Sequence, residues 1–454
     1  MTDIAAHQNA GCAAAAALNC CVGTTANADC PADKGEPMTF VWIILFLAAA
    51  YVTYGLVVPH PHRRKFSKGL PEDAISDGYL SPREIVDPDE DAIAKRVSDA
   101  FTAQTLKHQK NIGKDDPAFH EPHWGHTNGI LHGTLCIDRT ENLPNAFRVG
   151  LFAADRDYAV VARSGMAVDR DIGFAINRLA VKLKYPEAVP NVYASDGKSN
   201  ELDLLLVAGT SETNAPDHTF FVRDARQMNV AAGLKPPSLE TLRTLANWRN
   251  VALLLGVRGR VKKIMATYRR PPESTKGWAG KPYYSLGPFA LGDGAMKFRL
   301  VPETRHDVAE NDPLRRDVTA VYKDNMDAWI EAGEDAKFRL GIQPATPDCI
   351  PDPTADDPPK AVMAAEYCDI QWDETVSPYI DVGTLTLKAD ASMNTAEMWG
   401  KLQFNAWNTL QSMRPLGQLF RLREHAHAAH SNTRVAHIYG NNPGELVGKC
   451  PFHN

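Results

Sequence analysis

The chain predicts an α+β fold: an antiparallel β-sheet closed or nearly closed as a barrel, with inserted and C-terminal helices, preceded by one transmembrane helix. Three observations carry this. From His126 onward, short apolar runs alternate with turn signals (GTLCI, AFRVGLF, YAVVARS, LDLLLVAG, HTFFVRD), the pattern of antiparallel strands. Helical spacing takes over at residues 225–265 and again near the C-terminus. Residues 39–58 read TFVWIILFLAAAYVTYGLVV, a run without a single charge.

Composition bounds the function classes. A length of 454 residues fits roughly three domains or one large enzyme domain. With 44% hydrophobic and 23% charged residues, wholesale disorder is excluded. A formal charge of −6 argues against a nucleic-acid partner, which would call for a basic surplus or stripe. Four of the eight cysteines (Cys12, Cys20, Cys21, Cys30) fall in the first 30 residues. Cys136, Cys349, Cys368 and Cys450 are far apart and show no CxxC spacing, which argues against zinc. Cys136, inside TLCI, is expected to pack as a small hydrophobe.

Residues 1–37 are Ala- and Cys-rich and read as a flexible tail; the sequence leaves open whether translation begins at Met1 or Met38. Residues 38–60 form the predicted transmembrane helix, since about 20 apolar residues span a hydrocarbon core of about 30 Å. A cleaved signal peptide is the rival, but the preceding flank (Asp29, Asp33, Lys34, Glu36) lacks a basic region. Arg63, Arg64, Lys65 and Lys68 follow the run, so the positive-inside rule puts the C-terminal domain on the cytoplasmic side.

Residues 61–115 read as a linker with a helical arm (DAIAKRVSDAFTAQTLKHQ), and residues 116–440 as the main domain. In it the helical stretch LETLRTLANWRNVALLLGV is followed by strands in KPYYSLGPFALGDGAMKFRLVP, AKFRLGIQP and YIDVGTLTLK. GDG inside FAL–GDG–AMKF reads as a hairpin turn, and the Pro- and Asp-rich stretch 345–362 as a loop. TAEMWGKLQFNAWNTLQ and RPLGQLFRLREHAHAAH read as terminal helices, and residues 441–454, with the Cys450–Pro451 pair, as a tail.

No GxSxG, GxxxxGK[ST] or HExxH motif occurs. Histidine is the informative surplus, in two clusters: His123, His126 and His132, then His425, His427 and His430. Solvated surface histidines are the plain alternative for both. On a helix His427 and His430 share a face and His425 points elsewhere.

Several segments in order resemble the catalase superfamily, in particular the smaller catalase-related haem proteins and the coral allene oxide synthase domain. They span roughly residues 118–440. HTNGILHGTL resembles the segment holding the distal histidine, and NAFRVGLFAADRDYAVVARSG the stretch ending in an RFS triplet. INRLAVKL resembles the RGxAxK strand, and HTFFVRDA the FFxRDA segment. WDETVSPYIDVGTLTL follows, then FNAWNTLQSMRPLGQLFRLR, similar to FNPWHxLxxHRPLGxxNRxR. In the family the last segment continues as R-x3-Y-x6-R; here those positions are Arg423, His427 and Arg434. His123 stands where the family has an arginine, and the Phe of RFS is missing between Arg163 and Ser164.

The resemblance implies a catalase-like haem domain with haem b. It makes His427 the iron ligand, with His430 as rival, and puts Arg423 beside that ligand. Arg163 and Arg434 would meet the haem propionates, with Arg178 a weaker candidate. His126 would be the distal acid–base group. Asn214 would hydrogen-bond the peroxide, and Ser164, Phe220 and Phe221 would belong to the pocket. A neutral histidine in place of tyrosinate favours peroxidase-like chemistry over fast catalase turnover. The expected function is a membrane-anchored oxidoreductase acting on hydrogen peroxide or organic (lipid) hydroperoxides. The alternatives are a non-enzymatic subunit or scaffold of a membrane assembly, with or without haem, and a haem electron carrier. Expected partners are the hydroperoxide, membrane lipid through residues 39–58, a membrane protein complex and a second copy of the chain.

Overall fold

The computed structural model describes residues 75–76, 79–80, 90–111, 126–169, 174–194, 196–208, 277–304, 318–349, 366, 372–389, 394–425 and 433. All belong to one compact unit, Val58–Asn454. Among the described residues no helix is long and apolar enough to cross a membrane. The predicted span 39–58 lies outside them.

Eight antiparallel strands close on themselves. In chain order the first elements are a two-strand ladder, β1 (Ile75–Ser76) with β2 (Tyr79–Leu80), and the helix α1 (Glu90–Asn111). The barrel follows: β3 (His126–Ile137), β4 (Arg156–Asp169), β5 (Phe174–Pro190), β6 (Lys198–Ala208) and β7 (Tyr283–Ser285). β8 (Phe289–Leu291) is a hairpin arm on β9 (Gly294–Pro302). β10 (Asp335–Pro344) pairs with both β9 and β11 (Ile380–Ala389), and β11 returns to β3, so the barrel closes.

One phase of residues fills the interior in every strand: Leu131 and Leu135 of β3, Val160 and Ala162 of β4, Leu179 and Val181 of β5, Leu202 and Leu204 of β6. Phe298 and Leu300 of β9, Phe338 and Leu340 of β10, and Leu385 and Leu387 of β11 complete it. A fully buried side chain of this kind contributes about 1.5–3 kcal/mol. Gly133 belongs to this phase because β3 and β11 approach closely there: an added Cβ would run into the Thr386 carbonyl. The expected GDG turn is present. Leu291 pairs with Gly294, and Gly292 adopts φ +58°, as a two-residue hairpin turn demands.

Helix α2 (Val318–Ala332) packs on β3 and β11 through Met326 and Trp329, and Trp329 meets Trp278 edge-on at 5.8 Å between ring centroids. Helix α3 (Ala396–Lys401) is capped by Thr395, whose hydroxyl accepts from Met398 N–H. A strap of residues 402–416 then runs along the barrel. It is pinned where Asp203 N–H donates to the Asn408 carbonyl (2.8 Å), Val192 N–H to Thr409 (2.9 Å) and Ala290 N–H to Arg414 (2.8 Å). Helical turns over 418–425 follow.

Three expectations are corrected. AFRVGLF is not a strand but two 3-10 turns, Asn145–Phe147 and Gly150–Phe152. Pro144 precedes them without an N–H to offer a ladder, Gly150 takes φ +59°, and the Arg148 side chain donates to the Leu143 and Glu141 carbonyls. TAEMWGKLQFNAWNTLQ is helical only over Ala396–Lys401, because Asn405 draws the chain into a turn: its side chain accepts from Trp407 N–H and its own N–H donates to Asp203. Cys136 is half-buried rather than core; its thiol hydrogen-bonds Asp157, and this contact and burial push it up to about 11. Helix α2 went unanticipated, although Met326, Trp329 and Ile330 keep helical spacing.

Candidate active site

The site begins with a β-bulge. β3 and β4 run in regular register from Ile137 to Gly129, which pairs with Ser164; the register then shifts, so Thr127 pairs with Gly165 and His126 with Met166. Asn128 is the extra residue. The shift brings backbone position 126 back into phase with Gly129 and Leu131. Without it, position 126 would follow Ile130 and His132 in the outward phase.

Two polar side chains stand in the inward phase at this end of the barrel. Ser164 lies between Gly129 and Leu179, and Asn177 of β5 lies opposite Met166. Ser164 is 0% exposed and Asn177 4%. Neither Ser164 Oγ nor Asn177 Oδ1 has a hydrogen-bond partner, and both amide atoms of the buried Asn128 lack one too. Leaving such atoms unsatisfied costs about 1–3 kcal/mol each.

The outward phase of the same wall is charged and paired. Lys182 Nζ lies 2.7 Å from Asp203 and 3.1 Å from Glu201. Burial alone would lower its pKa, but the two carboxylates outweigh that and hold it above the ordinary lysine value. Asp203 also accepts from Asn405 N–H at 2.9 Å. Arg163 donates from Nη1 to the Leu402 carbonyl (3.1 Å) and lies 4.9 Å from the Phe404 ring centroid. Arg178 comes next on β5; burial first, and the charge of Arg423 second, pull its guanidinium down to about 10. Arg423 and Glu424 line a cleft of about 210 Å³ with Leu205, Leu286, Asn405, Ala406, Trp407 and Phe420. The helix bearing Arg423 is tied to α1 by a buried ion pair, Arg421 with Glu90, through two contacts of 2.5 and 3.1 Å.

Arg163 and Ser164, read together from the sequence, are therefore separated: as strand neighbours they take opposite faces. Arg178 and Arg423 are brought together. His132 is half-buried in the outward phase and His425 is exposed, so neither shares the phase of position 126. Of His126 the structure describes the backbone. His123, Asn214, Phe220, Phe221, His427, His430 and Arg434 lie outside the described residues. No group of three metal-ligating side chains occurs among the described residues. Sequence reasoning missed Asn128 and Asn177; a polar residue at an inward position of NRLAVKL was the available signal. It also missed the Lys182–Asp203 pair, whose two halves lie in separate strands.

The chain is similar to a fungal catalase (12% identity, 72% of this chain, 61% of that one, TM-score 0.45). It is similar to catalase A from Saccharomyces cerevisiae (12% identity, 74% and 64%, TM-score 0.45). A bacterial catalase gives 13% identity over 87% and 71%, with a TM-score of 0.48. The chain spans less than two thirds of the length of the first two. Likeness of this degree identifies neither a family nor an activity. No family profile and no curated protein matches the chain.

Proposed function

We propose that the chain is a haem-dependent oxidoreductase of hydrogen peroxide or organic hydroperoxides, with its pocket at the bulged end of the barrel. The carrying observation is the set of unsatisfied buried polar atoms on Ser164, Asn177 and Asn128 around position 126. Other buried polar atoms without a partner are spread over the fold; these gather at one end of the barrel, where a polar ligand can be held. The order of segments resembling catalases supports the same reading, as does the spacing of Arg423, His427 and Arg434.

The residues present fit the distal part of such a pocket. Haem bound there would supply the redox chemistry of O–O cleavage, with His427 as its iron ligand. His126 takes a proton from the bound hydroperoxide and returns it to the leaving oxygen, as a neutral imidazole can near pH 7. Ser164 and Asn177 hold the peroxide oxygens by hydrogen bonds. Residues 39–58 anchor the domain at the cytoplasmic membrane surface, which favours lipid hydroperoxides.

The absorption spectrum of the purified protein is the test. A Soret band is expected, lost in His427→Ala and retained in His425→Ala. Loss in His430→Ala instead would move the ligand by one helical turn. His126→Ala should keep the band and cut peroxide turnover by roughly 10²–10⁴. A second reading is a barrel serving as scaffold without haem, in keeping with the absence of any group of three metal-ligating side chains among the described residues. A protein without a Soret band, even after haemin is added, would establish that reading.

A further inference from the structure

Helix α3 lies on the outer face of β3 and β4, beside the bulge. The last pairing of β11 with β3 joins Ala389 to Leu131. The next amide along β3, Ile130 N–H, is taken by a side chain: it donates to Asn394 Oδ1 at 3.3 Å. The same oxygen accepts from Trp399 Nε1 of α3 at 2.9 Å. Trp399 and Leu402 pack on Ile130 of β3 and Val161 of β4. Ile130 pairs with Arg163, and Arg163 Nη1 donates to the carbonyl of Leu402, the C-cap of α3, at 3.1 Å. Both halves of this rung are therefore held from α3, one at each end of the helix.

The next rung, Gly129 with Ser164, is the last regular one before the register shifts. A Cβ on Gly129 would lie 2.8 Å from Met326 Cγ and 3.6 Å from Asn394 Nδ2, so α2 and Asn394 close on this glycine together. Beyond it, only His126, Thr127 and Asn128 have to re-pair for the bulge to be lost. Continued without a shift, the ladder would set Thr127 against Met166 and His126 against Ala167. In the structure they face Gly165 and Met166. A strand end of three residues has few ladder bonds with which to select a register, so the selection falls to whatever fixes the rungs behind it.

We propose that Asn394 is a positioning residue: by joining Ile130 N–H to Trp399 it keeps the bulge at Asn128, and so holds position 126 in the inward phase. Its hold on the register is independent of the proposed function; the consequence for peroxide turnover rests on that function.

Cysteine pairs read the register without any cofactor. In full-length protein treated with diamide, His126→Cys with Met166→Cys should cross-link in the bulged register, and His126→Cys with Ala167→Cys in the regular one. Only directly opposed positions bring their Cβ atoms within disulfide reach. Peptide mapping separates these links from any made by the native cysteines. The 126–166 link should dominate in the otherwise unchanged chain. Asn394→Leu should move the ratio toward 126–167 by at least about tenfold, the scale of one or two lost hydrogen bonds. Asn394→Asp, which keeps an acceptor, should restore it. Trp399→Phe removes only the indole N–H and should shift the ratio less, in the same direction; it decides the matter if Asn394→Leu does not fold. A merely structural role lowers Tm and leaves the ratio where it was, so an unchanged ratio overturns the proposal. Dominance of 126–167 without any change at Asn394 overturns it equally.

Turnover is the second arm. With His126 in place, Asn394→Leu should lower peroxide kcat by roughly 10- to 10²-fold at nearly constant KM, the cost of a misplaced catalytic group, and Asn394→Asp should recover most of it. A shifted register with unchanged kcat overturns the positioning role. A shifted register in a protein that shows no turnover even as wild type leaves the hold of Asn394 on the bulge standing, while the proposed function fails.

Discussion

On the outer face of β5 and β6 the ammonium of Lys182 has two carboxylates within 3.1 Å, and Asp203 accepts a further N–H from the strap. On the inner face, one strand away, Ser164 Oγ is as deeply buried and touches no partner. The two regions share a sheet and differ in what they are for. Outside, polar groups are arranged to complete one another, which fixes the strap and the helix that follows it. Inside, at the bulge, they are left incomplete, a net cost to the folded state that a bound polar ligand would offset. Burial of polar groups alone does not mark a site, nor does one unsatisfied atom; several gathered at the bulged end make a candidate.

The sharpest way to break this comparison is to remove a partner from the outer face. Asp203→Ala leaves Lys182 enclosed with Glu201 alone and frees Asn405 from its anchor. A loss of about 3 kcal/mol is expected in urea unfolding, the scale for a broken buried ion pair. Lys182→Met combined with Asp203→Leu should recover most of it, since a well-packed apolar pair can replace a buried ionic one. A cost below about 0.5 kcal/mol for Asp203→Ala would mean that the pair does not hold the strap.

The pH dependence of stability sharpens the same point. Lys182 is held above the ordinary lysine value of 10.5 in the folded chain. A raised folded pKa contributes stability that is complete below 10.5 and is lost as pH climbs through the folded value. The wild-type Tm should therefore drop more steeply above pH 10.5 than that of Lys182→Met, with the two running parallel between pH 7 and 9. Parallel curves up to pH 11.5 would show the ammonium to be unpaired in solution. Tyr158 and Tyr185, both raised by burial, are present in both proteins and act equally on the two, so the difference isolates the lysine.

Much of the barrel was legible in the sequence, because strand alternation is a local signal. YAVVARS, LDLLLVAG, AKFRLGIQP and YIDVGTLTLK each fall within an observed strand or overlap it closely. What escaped reading depends on distant partners. AFRVGLF has strand composition, yet Pro144 and the positive φ of Gly150 turn it into 3-10 turns. NAWNTLQ has helical spacing, yet Asp203, some 200 residues earlier, draws Asn405 into the strap. In the site, His126, Ser164, Arg163 and Arg423 could be named from segment order, but not the face each takes. A one-residue bulge at Asn128 sets the phase of position 126, and simple alternation separates Arg163 from Ser164. Composition carries neither.

The smallest expected effect lies on the inner face, and it separates the two regions most directly. Ser164→Ala removes a hydroxyl that bonds nothing in the folded chain, so no hydrogen bond is lost and one desolvation cost is relieved. Unliganded stability should stay within about 0.5 kcal/mol of wild type or rise by up to about 1 kcal/mol. Asn177→Leu removes an equally unpartnered Oδ1 and should stay within about 1 kcal/mol of wild type. Both substitutions should weaken peroxide turnover, since the atoms idle in the free protein are those proposed to hold the substrate. The sign of the stability change is the deciding readout. A loss of about 1 kcal/mol or more in either variant would mean that the hydroxyl or amide is satisfied within the fold. The inner face would then be scaffold like the outer one, and the bulged end of the barrel would lose its claim to be the site.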